Sequence, residues 1–311
     1  MWSASNSKKM ENIFALIDKT EINSVVIDVK GSQGELIYEY WSGIGDLIKK
    51  LHEKNIYAIA RVVVFQDSGY AMSNPEVALK NRSGGLWRDR RGFAWLDPAA
   101  KGSHDHIIDI AKKSIDLGFD EIQYDYIRFP TDGALSSIVY PAWDGQKSRN
   151  EVLREFFEYS KNKLKEYDPS VKTSIDIFGY TFLRSDDLGI GQVLGDALDN
   201  FDYISPMVYP SHYGPGNFGF DNPAEHPYEV IFETMKEGLE AMGEERAKIA
   251  KPKIRPWIQV FNMGARYDSA KIKAQIKAIH DSEMTGWLMW DPNNAYTDVP
   301  GAVDAEEGMA P

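Results

Sequence analysis

The sequence predicts a closed (β/α)8 barrel, the TIM-barrel class of α/β fold, with its first strand largely missing at the amino terminus. Three observations predict it. Apolar helix stripes alternate with short β-branched runs along the whole chain, the pattern of repeated βα units and a parallel sheet. One of those runs, Glu121-Ile122-Gln123-Tyr124-Asp125-Tyr126, puts Glu121, Gln123 and Asp125 on a single face, because alternate strand residues point the same way. A strand flanked by helices is normally apolar on both faces, so that polar row needs an interior with polar partners, which a closed barrel offers. Lastly, the long connections follow strands while the turns leading into strands, such as Lys54-Asn55 and Leu117-Gly118, are short. All elaboration therefore falls at the carboxyl ends of the strands, where barrel enzymes carry their sites.

The elements follow in order. A helix over 7–19 carries Met10, Ile13, Phe14 and Ile17 on one stripe, and Met1-Trp2 before it reads as the last turn of the truncated first strand. Strand-like runs come at 24–29, 56–64, 121–126, 172–177, 203–208, 256–261 and 286–290, each after a helical stretch. With the truncated start these make about eight, the number a barrel requires. No Gly-x-Gly-x-x-Gly fingerprint or phosphate loop follows any run, which weighs against a doubly wound nucleotide-binding sheet. The segment 66–102, rich in Gly, Trp, Arg and Pro, is too long for a mere connection and is expected to wall one side of a cleft. Residues 1–311 form one domain in this reading, with an acidic tail from about 298.

Composition narrows the function. The chain has 311 residues, 35 basic against 47 acidic, and a net charge of −12. Nucleic acid and anionic membranes would be repelled, so neutral or cationic substrates are expected. No run approaches the ~18 apolar residues of a membrane span. Cysteine is absent, which removes disulfides, thiolate metal sites and cysteine nucleophiles. The 8 Trp and 16 Tyr suit either a large core or the stacking of flat ligand faces. Met1-Trp2-Ser3-Ala4-Ser5 lacks the charged and apolar regions of a secretion signal.

Polar or aromatic groups finish six of the runs: Asp28 with Lys30, Arg61, Asp125, Asp176, Tyr209, and Trp290 with Asp291. Gln259 joins them if it shares a face with Trp257 and Phe261. Two carboxylates whose environments push their pKa values apart can serve as acid and base, as glycosidic cleavage demands. Asp125 is the candidate nucleophile or base and Asp176 the candidate acid, with Arg61 or Lys30 keeping one partner ionised. The bland alternative is a structural network of inward polar groups, weighed evenly for any single carboxylate. Arg128 and His212 are placed near substrate, and Trp290 is the candidate floor for a sugar ring. Most of Trp41, Trp87, Trp95, Trp143 and Trp257 are assigned to packing by base rate. His104-Asp105-His106 has the look of a metal site but opens a helix rather than ending a strand, so a helix-start or surface role is preferred and no metal or cofactor is expected.

The run Gly118-Phe119-Asp120-Glu121-Ile122-Gln123-Tyr124-Asp125-Tyr126-Ile127-Arg128-Phe129-Pro130 resembles the signature of a bacterial TIM-barrel family of glycoside hydrolases formerly catalogued as a domain of unknown function. Val25-Val26-Ile27-Asp28-Val29-Lys30, Trp95-Leu96-Asp97-Pro98, Asp176-Ile177-Phe178-Gly179-Tyr180, the block from Tyr203 to Tyr213, Arg255-Pro256-Trp257-Ile258-Gln259 and Gly286-Trp287-Leu288-Met289-Trp290 also look like that family's blocks. The resemblance implies the barrel, a hydrolase cleft on Asp28, Asp125, Asp176, Tyr209 and Trp290, a carbohydrate substrate, and an extracytoplasmic, secreted or surface-anchored location. Phe119-Asp120-x-x-Gln123-x-Asp125 is also similar to the chitinase-type strand, but Ile127 stands where that strand carries its acid. Any acid must then come from another strand. A non-catalytic carbohydrate-binding barrel is the competing expectation.

Overall fold

The computed structural model describes residues 3–303; the expectation that Met1-Trp2 ends a first strand lies outside them. Its elements, in chain order, are α1 (Ser7–Ile17), β1 (Ser24–Lys30), α2 (Ile37–Tyr40), α3 (Ile44–Glu53), β2 (Tyr57–Val63), α4 (Ser68–Ser73), α5 (Lys101–Asp116), β3 (Glu121–Asp125), α6 (Arg149–Tyr167) and β4 (Lys172–Phe178). There follow α7 (Leu194–Asn200), β5 (Tyr203–Met207), α8 (Pro227–Met242), α9 (Glu244–Ala250), β6 (Trp257–Gln259), α10 (Ser269–Asp281) and β7 (Leu288–Trp290). The strands pair in parallel in the order β1-β2-β3-β4-β5-β6-β7. Among the described residues β7 and β1 do not pair, so the sheet is the (β/α)8 barrel short of one strand, as the sequence predicts.

Two apolar clusters divide the sheet by face. The larger runs from Met10 to Val303 and joins the outward strand residues, such as Val62, Ile122 and Ile175, to the helices. The smaller lies inside the barrel, where Ile59, Tyr209, Trp257 and Leu288 meet Val26, Tyr57, Met207 and Trp290. Glu121, Gln123 and Asp125 are all buried in that interior, as alternation requires. At its amino-terminal end Arg255 donates to Glu121 at 2.5 Å and stacks 3.8 Å from the Tyr203 ring, while midway Gln123 donates to Ser205 at 3.4 Å.

At the carboxyl end two long segments, 66–102 and 131–147, are sewn together. Lys80 and Val139 exchange both main-chain bonds at 3.0 and 2.8 Å. The Trp87 indole donates to Ala134 O at 3.1 Å, and Asp132 receives the Arg90 amide at 3.0 Å. Buried Asp97 receives the amides of Ala142 and Trp143 at 2.7 and 3.1 Å. The stretch from Asp298, expected to leave the domain, stays packed on it: Val299, Ala302 and Val303 are buried. The acidic residues after 303 lie outside the described residues.

Candidate active site

Arg61, the inward residue near the end of β2, gathers carboxylates from three other strands. Its Nη1 donates to Asp28 of β1 at 2.6 Å, its Nε donates to Asp125 of β3 at 3.1 Å, and its Nη2 also bonds Asp125. Asp176 of β4 lies 3.9 Å from Nε. The sequence placed these four residues in one cleft, and the structure brings them together. One guanidinium cannot neutralise three carboxylates, so charge within the cluster is decided by burial.

Asp176 is 1% exposed. Burial, then the charge of Asp125, push its carboxyl well above the usual aspartate range, against the opposing pull of Arg61 and of the Trp257 indole, which donates to Oδ1 at 2.7 Å. It therefore holds a proton more tightly than an exposed aspartate does. Asp125 is 7% exposed and, besides Arg61, accepts the amide of Tyr126 at 2.6 Å. Tyr126 has φ of +51°, a left-handed conformation costing a non-glycine residue ~1–2 kcal/mol. It ends the strand directly after the carboxylate and turns a main-chain donor onto it. Asp28, with a side chain 51% exposed, is the open member of the trio.

Aromatic groups close round the cluster. Trp290 lies 5.7 Å from the Arg61 guanidinium and meets Trp257 edge-on at 6.2 Å. The Tyr209 hydroxyl is pushed well up, first by burial and then by Asp176 and Asp125. His212 stands edge-on to Tyr209 at 5.1 Å, at the rim, and its imidazole is pushed down by burial. Arg128 lies 5.1 Å from each of the rings of Trp95, Tyr126 and Phe178, so the segment 66–102, through Trp95, flanks the site.

Two predicted site residues are engaged by other partners. The register shifts between Asp28 and Lys30, pairing Lys30 with outward-facing Val62, and this bulge turns Lys30 away from the cleft. Lys30 is 0% exposed, bonded to Val63 O at 2.6 Å and to Asp67 at 2.9 Å. Gln259 does face its neighbours as expected, but its side chain is consumed by main chain: it accepts from Ser211 N and donates to Phe261 O and Met263 O at 3.1, 2.9 and 3.3 Å. His104 and His106 diverge, to Pro98 O at 2.6 Å and Asp67 Oδ2 at 3.0 Å; His106 belongs to the buried Lys30 pair rather than to the surface.

Sequence reasoning missed Trp257 as the donor to Asp176, although a buried indole N–H must find a partner and its place on an inward strand was available. It also missed Tyr296, a half-buried residue whose phenol is raised by burial and by the charges of Asp291 and Asp28. Tyr296 sits in a loop, where no periodicity points to it.

Residues 1–296 match a family described as "putative glycosyl hydrolase domain". Comparison with curated proteins gives no match. Among solved structures, the chain is similar to the glycoside hydrolase domain of PgaB (BpsB) from Bordetella bronchiseptica, with 14% identity, 97% of this chain and 94% of that one covered, and a TM-score of 0.65. It is similar to the spore cortex-lytic enzyme SleL of Bacillus megaterium QM B1551, with 12% identity, coverage of 97% and 71%, and a TM-score of 0.54. A hypothetical protein from Ruminiclostridium thermocellum ATCC 27405 shares 31% identity over 60% of this chain and 95% of its own, with a TM-score of 0.49. At their low identities the PgaB and SleL structures share the barrel. The match over residues 1–296 goes further: the chain belongs to this family of glycosyl hydrolase domains.

Proposed function

We propose that the chain hydrolyses O-glycosidic bonds of a polysaccharide, with Asp176 as general acid and Asp125 as the carboxylate at the anomeric carbon. The observation that carries this is the single guanidinium of Arg61 among three carboxylates, one of which burial pushes well above the usual aspartate range. Asp176 gives its proton to the leaving oxygen as the bond to the anomeric carbon breaks. Asp125, ion-paired to Arg61, attacks that carbon or activates the incoming water, and water supplies the hydroxyl of the new reducing end. Trp290 and Tyr209 offer ring faces for the sugar. The names of the PgaB glycoside hydrolase domain and of a spore cortex-lytic enzyme support a carbohydrate substrate. With the bacterial family's signature strand they favour an extracytoplasmic place of action for a single domain.

A binding barrel without catalysis is the second reading. It is favoured by the seclusion of Asp176, 1% exposed with Oδ1 already taken by Trp257. A panel of polysaccharides, assayed for new reducing ends and for retention on the polymer, separates the two. Cleavage by the wild type and none by Asp125→Asn or Asp176→Asn supports hydrolysis. Retention without new ends selects the binder, and neither outcome on any polymer overturns both.

A further inference from the structure

Arg128 is a buried cation with a free edge. Only 9% of the residue is exposed, and three rings surround the guanidinium at 5.1 Å. Two of those rings, Tyr126 and Phe178, lie just beyond Asp125 and Asp176, so the guanidinium stands between the strand ends that carry the acid pair. Its Nη1 donates to Phe129 O at 3.1 Å and to Thr131 Oγ1 at 3.3 Å. Nε and Nη2 have no hydrogen-bond partner among the described residues, yet neither is sealed from solvent. The carboxylates that act on Arg128, those of Asp125, Asp132 and Asp89, are bonded elsewhere: Asp125 to Arg61 and the Tyr126 amide, Asp132 to the Arg90 amide, Asp89 to the Trp95 indole and Gln66.

The Nε and Nη2 edge is the one Arg61 uses to hold Asp125, and a guanidinium edge of this kind matches a carboxylate with two parallel bonds. Burying a cation is costly unless something completes its hydrogen bonds. One neighbouring segment carries exposed charge of the same sign. On the segment 66–102, Arg82, Arg88, Arg90 and Arg91 are exposed and have no ion pair among the described residues. Three of the segment's acids, Asp67, Asp89 and Asp97, are buried and engaged. Net charge of −12 predicts neutral or cationic substrates, but screening confines that repulsion to about 8 Å at physiological salt. Within the segment 66–102, six basic residues stand against four acidic ones.

We propose that the cleft holds a subsite for the carboxylate of a uronic acid, received by the Nε and Nη2 edge of Arg128, so that the substrate is an acidic polysaccharide. This rests on the reading of the cleft as a glycoside hydrolase site. The test measures binding by the folded Asp125→Asn protein, which separates affinity from turnover. The probes are polygalacturonate, alginate and hyaluronan, with dextran sulfate, a neutral β-glucan and chitosan as contrasts. At least one uronate polymer is expected to bind more tightly than the contrasts. Adding Arg128→Lys, which keeps the charge and loses the fork, or Arg128→Gln should weaken it about tenfold or more. Arg91→Gln, on an exposed side chain, should weaken it less and reduce its salt dependence. Equal binding of dextran sulfate, equal affinity in Arg128→Lys, or no uronate binding overturns the subsite. Uronate binding that depends on Arg128 without new reducing ends from the wild type removes the hydrolase and leaves the subsite. Cleavage of a neutral polymer with no uronate binding does the reverse.

Discussion

Asp176 is the residue on which the chemistry and the stability of the site diverge. Its folded pKa is raised, so the folded chain keeps a proton that the unfolded chain releases near pH ~3.9. Stability is then lost as pH rises above that value, at up to ~1.4 kcal/mol per pH unit until the raised pKa is reached. Asp176→Asn cannot release a proton and escapes the loss. Chemical denaturation at pH 5 and pH 8 should show the variant gaining on the wild type between the two, while activity falls at both. An equal difference at both pH values would mean that the carboxyl is charged in the folded protein. Asp125→Asn differs in kind. It keeps the size of a side chain already held by Arg61 and the Tyr126 amide, and turnover per folded molecule should drop at least ~10²–10⁴. Wild-type turnover in a folded Asp125→Asn protein would remove the residue from the mechanism. The meeting of Asp28, Arg61, Asp125 and Asp176 was legible because each ends an inward row. The upward push on Asp176 was not, since which of two carboxyls is sealed depends on neighbours such as Trp257 that come from a remote strand.

Among the elements, the seven strands were legible to within a few residues. The expected runs at 121–126 and 203–208 appear as Glu121–Asp125 and Tyr203–Met207, because short runs rich in β-branched and aromatic residues favour the extended chain. The fault came at β1, where one extra residue at a bulge reverses the side a residue faces and leaves no mark in the alternation. The outcome is a buried pair with its own consequence. Burial pushes Lys30 down. Burial also pushes Asp67 up, but the charge of Lys30 and the bonds from His106 and Tyr70 outweigh it and hold that carboxyl below its usual range. Lys30→Met leaves a charged Asp67 in an apolar setting, and should cost ~3–5 kcal/mol in urea denaturation. Sugar binding by the molecules still folded should be unchanged; a loss of affinity without a loss of stability would return Lys30 to the cleft.

Across the whole molecule, the barrel is braced at one end and functional at the other. Glu121 of β3 reaches across to Arg255 before β6. This cross-tie joins distant strands inside a sheet whose edges β1 and β7 do not pair among the described residues. Glu121→Gln should cost a few kcal/mol, because Arg255, largely shielded from water, is left without its counter-charge, and turnover per folded molecule should stay at the wild-type level. A variant as stable as the wild type would show the tie to be idle. The polar row on β3 announced an interior with partners, but not which partners, because Arg255 is 134 residues away and no local pattern links the two. At the opposite end, the segments 66–102 and 131–147 share a ladder at Lys80 and Val139 and the buried carboxylate of Asp97. Each supplies polar groups that the other satisfies. For recombination between homologous barrels the two behave as one cassette: exchanging either alone strands Asp97 or the amides of Ala142 and Trp143, whereas crossovers placed before residue 66 and after residue 147 carry the wall, Asp125 and Arg128 across intact.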